Sequence, residues 1–109
     1  MSLKIGELAA AMTGAAKDSL AEDWPKVRDY ARPEFKKLAQ ALKDIVRLAV
    51  EGKVSAAEAK SLLRIHRNTV LMVMLTVQGL GVLGAEKAIN AALGAVADAI
   101  NAAAPFKIV

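Results

Sequence analysis

The run VLMVMLTVQGLGVLG, residues 70 to 84, carries no charge, and its reading decides the fold. Val70, Leu71, Met72, Val73, Met74, Leu75, Val77, Leu80, Val82 and Leu83 occupy every side of a helix, not one stripe. A helix that is apolar all round must be enclosed by protein or lipid. Gly79, Gly81 and Gly84 either break it or let a neighbouring backbone come close, and the sequence leaves both open.

Upstream of this run lies the sharpest local signal in the chain. Ser55, Ala56, Ala57, Glu58 has the form of a capping box, in which a serine hydroxyl and a glutamate carboxylate each satisfy a free backbone N–H. Val54 and Ala59 flank the box as a small hydrophobic staple. Just before it, Glu51, Gly52, Lys53 places a glycine where a left-handed helix cap is wanted. A helix ending near 51 and another starting at 55 form a tight antiparallel hairpin.

The helix entering that hairpin is amphipathic. Trp24, Val27, Ala31, Phe35, Leu38, Leu42, Ile45 and Ala49 recur at intervals of three or four, which aligns them on one stripe over residues 23 to 51. Pro33 lies within the run and predicts a kinked helix, or two abutting ones, because its ring removes an N–H and crowds the preceding turn. Residues 2 to 21 repeat the pattern more weakly through Ile5, Leu8, Ala9, Met12, Ala15, Ala16, Ser19 and Leu20. Gly6 and Gly14 each cost about 1 kcal/mol relative to alanine, so this segment is expected to be an arm that needs docking to persist. Downstream, residues 85 to 104 are alanine-rich, with Ile89, Ala92, Val96, Ile100 and Ala103 on a narrow stripe before Pro105. Small side chains permit close helix packing.

The predicted fold class is therefore all-α: an antiparallel bundle of three to four helices in one domain spanning residues 1 to 109, with self-association expected to complete it, a reading that the apolar excess favours. Residues 55 to 104, as one apolar helix or a helical hairpin, form its centre, and residues 2 to 51 cover it. Composition agrees, since 55% of residues are hydrophobic but only 4% aromatic, a vocabulary of Ala, Val, Leu, Ile and Met. At 109 residues a single modest core is expected, one that association would help considerably. The absence of cysteine rules out disulfides and thiolate metal sites and suits a reducing compartment. With no apolar run before Glu7 to make a secretory signal, a cytoplasmic location is expected, with membrane association as the alternative.

Charge divides the chain. Residues 1 to 68 hold thirteen Lys or Arg against nine Asp or Glu, whereas residues 69 to 109 hold only Lys87, Lys107, Glu86 and Asp98. Arg32, Lys36, Lys43 and Arg47 form one basic helical stripe, and Lys60, Arg64 and Arg67 another. A hairpin that joined them would make a face for nucleic-acid or lipid phosphates. Interspersed acids, four aromatics and no recognition-helix pattern favour a solvated face instead.

No catalytic constellation can be assembled, so no enzyme, cofactor, metal or small-molecule substrate is inferred. His66 is the only histidine, and Leu63 stands where a di-iron bundle would need glutamate. The methionines read as core filler. Glu22 with Lys26, Glu34 with Lys37, Asp44 with Arg47 and Arg47 with Glu51 stand at helix-neighbour spacing and predict solvated ion pairs. Asp98 has no cation three or four residues away and reads as an exposed edge residue.

These observations lead to a structural or protein-interaction bundle that pairs with another copy through Val70, Val73, Val77, Leu80, Ile89, Ala92 and Val96. The competing expectation is a membrane-associated protein that inserts its apolar region 69 to 104, although the uncharged residues 69 to 85 fall short of the roughly 20 residues a spanning helix needs. Nucleic-acid binding through the basic face ranks third.

Overall fold

A computed structural model describes residues 3 to 109. Among them the chain is all-α, with four helices in chain order: α1 (Ile5–Leu20), α2 (Trp24–Val50), α3 (Ala56–Leu75) and α4 (Gly81–Ala103). Short connections reverse the direction each time, producing an up-down-up-down bundle with extents of 42 × 22 × 17 Å. α1 packs on α2 and α4, α2 packs on α3, and α3 leans less closely on α4.

The local signals at the α2–α3 hairpin are realised in hydrogen bonds. Lys53 N–H donates to the Leu48 carbonyl at 2.9 Å and Gly52 N–H to that of Ala49 at 3.1 Å, a Schellman ending with Gly52 at φ 72°. Two residues later, Glu58 N–H donates to Ser55 Oγ at 3.1 Å, while Ser55 N–H donates to Glu58 Oε1 at 2.9 Å.

Two expectations are corrected, and of the two readings at Pro33 the pair of abutting helices is not found: α2 is one continuous helix through it. Proline deprives the Asp29 carbonyl of its helical donor, but both residues lie on the exposed face, where a carbonyl without a helical donor is not shut away from solvent. The first segment is not an arm: Leu8, Met12, Ala16 and Leu20 of α1 are buried members of the common core. Nor is the centre built from residues 55 to 104. α2 contributes the most buried residues, twelve, and α3 only four, Ala59, Leu63, Val70 and Met74.

The choice the glycines left open falls on a break. α3 stops at Leu75, and Gly79 and Gly81 adopt φ of 86° and 76°, a left-handed backbone that glycine enters without steric cost. Gly84 acts differently. It sits inside α4, where a Cβ would lie 3.0 Å from Leu80 Cδ1, so its missing side chain lets Leu80 fold against the helix start. The small residues of α4 bring α1 close: Ala85, Ala88, Ile89, Ala92 and Val96 are all buried.

Candidate functional site

The seven residues expected to meet a partner are mostly occupied within the chain. Val70, Val77, Leu80, Ile89, Ala92 and Val96 are buried in the single copy, and Val73 is half-buried. That surface is core. The amphipathic helices cover more of the apolar stretch than their stripes suggested, because the break at residues 76 to 80 folds it into two helices with one inward face each.

What they leave uncovered is a different set. Five of the seven exposed large hydrophobic residues fall between positions 65 and 83: Ile65, Met72, Leu75, Val82 and Leu83. Ile65 and Met72 are seven residues apart, two turns of α3, on the side opposite Leu63, Val70 and Met74. Leu75 ends α3, and Val82 and Leu83 begin α4 beyond the turn. Leu83 is 84% exposed and Met72 68%, whereas the methionines Met12 and Met74 are fully buried. Met72 is therefore not core filler. Tyr30 and Val50 are the other two, isolated on α2 as exposed apolar residues commonly are.

The α3–α4 turn shares its end of the bundle with the α1–α2 connection. A Cβ on Gly79 would lie 3.6 Å from Lys26 Nζ. The connection runs through Ala21 at φ 48°, a conformation L-residues rarely adopt, and brings Trp24 inside. Lys17, Lys26, Arg28 and Lys87 at this end are offset by Asp18, Glu22, Asp23, Asp29 and Glu86, so it has no cationic excess.

The two basic stripes are not joined. Between α2 and α3 runs a half-open groove of about 390 Å³ lined by Glu34, Lys37, Leu38, Gln40, Ala41, Asp44, Ile45, Leu48, Leu62, His66, Thr69 and Val70, and none of the seven basic residues is among them. Arg67 turns towards α4 and donates to Asn90 Oδ1 at 2.9 Å. Arg47 lies within 3.9 Å of Asp44 and 3.8 Å of Glu51. Arg32, Lys36, Lys43, Lys60 and Arg64 are exposed.

Three of the four expected ion pairs form: Glu34 with Lys37, Asp44 with Arg47 and Arg47 with Glu51. Lys26 pairs with Asp23 at 3.1 Å, not with Glu22. Glu34 does pair with Lys37, at 3.0 Å, but the carboxylate is only 8% exposed, the one buried charged residue among those described, so this pair is no solvated one. His66 is exposed on the opposite wall of the groove, and Asp98 is exposed on α4. Glu58 titrates below the usual carboxylate range because its carboxylate accepts the Ser55 backbone N–H and lies beside the Ser55 side chain. Glu51 is lowered by a hydrogen bond from Lys53 and by its charge.

Among the described residues no group of three or more His, Cys, Asp or Glu is placed to hold a metal, and no helix is long and apolar enough to cross a membrane. Compared with known protein families, curated proteins and solved structures, the chain matches none.

Proposed function

We propose that this chain is a helical interaction module that associates with a second copy of itself through the apolar surface around the α3–α4 turn. The observation that carries this reading is the concentration of exposed Ile65, Met72, Leu75, Val82 and Leu83 in one stretch of nineteen residues. A solvent-facing leucine is ordinary, but Leu75, Val82 and Leu83 flank one turn, with Met72 about one helical turn before it, and such a group gains free energy by leaving water. Under a two-fold axis such a patch meets its own image, and each apolar residue finds an apolar partner. The balanced charge of this end of the bundle supports a protein occupant over an anionic bilayer, which would reward a cationic rim. Separation of the two basic stripes likewise lowers the case for nucleic acid. Sedimentation of the parent chain beside Leu83→Glu tests the proposal, since Leu83 is the most exposed of the five and its replacement should abolish association without disturbing the core.

A further inference from the structure

We propose that the second copy joins by exchange: the turn at residues 76 to 80 straightens, α3 and α4 become one helix, and each α4 packs on the partner's α1 and α2. This rests on the self-association proposed above and states how it is made. The observation is a phase relation across the turn. Followed at 3.6 residues per turn straight from α3 into α4, the exposed Ile65, Met72, Leu75, Val82 and Leu83 fall within an arc of about 100°. The buried Leu63, Val70, Met74, Ala85, Ala88 and Ala92 share the far side of the same helix. A turn lets its two helices rotate independently, so a hairpin has no need of that agreement. One continuous helix requires it, if it is to keep a single buried face and a single stripe for a partner.

Little holds the turn closed. Thr76 N–H donates to the Val73 carbonyl, Val77 N–H to that of Met74 and Leu80 N–H to that of Val77, and a straight helix exchanges these three-residue bonds for four-residue ones. Thr76 and Leu80 already have helical dihedrals, whereas Gly79 and Gly81 must reverse a positive φ. One side-chain hydrogen bond, from Arg67 to Asn90, links α3 to α4, and α4 packs chiefly on α1. An exchanged α4 meets a surface it already fits, because the partner's α1 and α2 are copies of its own. New contact arises where the two long helices cross. In the antiparallel register set by Arg67 and Asn90, Leu75 of one copy lies opposite Val82 of the other, so two exposed apolar residues cover each other.

Spin labels separate exchange from side-by-side contact. The chain has no native cysteine, so Ser61→Cys and Asp98→Cys, both at exposed positions, carry the labels alone. In the hairpin the two sites stand at nearly the same level of a bundle 22 Å wide, whereas in one straight helix they lie about 55 Å apart. Double electron–electron resonance on the labelled chain, diluted in excess unlabelled parent at about 100 μM total, reads distances within one chain only. The associated chain should show the long distance. Gly79→Ala with Gly81→Ala disfavours the positive φ and favours helix, so it should raise the long-distance fraction severalfold. The parent's own distance decides the matter even if that variant fails to fold. A parent that doubles its mass while keeping only the short distance overturns the exchange and leaves the association standing. A parent that never doubles its mass overturns the association, and the exchange with it. A long-distance fraction that is unchanged or smaller in the folded glycine variant also overturns the exchange.

Discussion

Asn101 Oδ1 accepts the backbone N–H of Ile108 at 2.8 Å, and that bond closes a clasp. The same oxygen accepts Val109 N–H at 2.9 Å, and the Asn101 amide donates to the Val109 carbonyl at 2.9 Å. The segment after Pro105 is thereby held against α4 with Ile108 buried. Asn101→Ala removes both partners of the clasp and should lower stability by about 1–3 kcal/mol, read from the denaturant midpoint. An unchanged midpoint would mean that Ile108 packs without it.

The capping box gives a second quantity. Ser55→Ala should cost about 1 kcal/mol through loss of the side-chain acceptor for Glu58 N–H. A variant whose unfolding midpoint equals that of the parent would place the start of α3 elsewhere.

Glu58 adds a pH dependence to the same cap. Its folded pKa lies below the ordinary value, so its contribution is present above the unfolded pKa and is lost as pH falls through the folded one. The melting-temperature difference between the parent and Glu58→Ala should therefore be greatest near neutrality and shrink as the solution is acidified below the ordinary carboxylate range. A difference that grew in acid would contradict the assigned hydrogen bond.

Ala21 is the place to gain stability. At φ 48° and ψ −109° its Cβ crowds the backbone, a conformation that glycine adopts freely. Ala21→Gly should raise stability by about 1 kcal/mol, the relieved strain exceeding the added entropy of the unfolded chain. A lower melting temperature would show that the connection is unstrained.

Much of the architecture was legible because helix ends are local. Gly52, Ser55 and Glu58 act within a few residues of one another, and the α2 stripe from Trp24 to Ala49 is buried as its spacing predicts. The division of the apolar run was not. Hydrophobicity states how much of residues 70 to 96 must leave water but not which chain covers it, so Val70, Ile89 and Ala92 read as interface although α1 and α2 complete their core. Met72 and Val70 look alike in sequence; only the position of α3 in the bundle separates exposed from buried. Glu34 and Lys37 have the spacing of any surface pair, and nothing local announces that the carboxylate lies under a neighbouring helix. The Asn101 clasp bridges seven and eight residues across Pro105, outside any helical period.

Core and contact surface differ in how they should fail. Ala92 is fully buried, so Ala92→Lys should unfold the single chain, because an unpaired buried charge costs several kcal/mol. Circular dichroism would then report lost helix, whereas Leu83→Glu should keep the parent spectrum.

Sedimentation equilibrium of the parent chain and of Leu83→Glu, from low micromolar to about 100 μM, tests the association directly, since a Kd of ~1 μM would carry the chain from partly to almost fully associated across that range. The parent should rise with concentration to twice the 11.5 kDa of one chain, and the variant should stay at that single mass with its helix content intact. A parent that remains at one chain's mass throughout would contradict the proposed self-association.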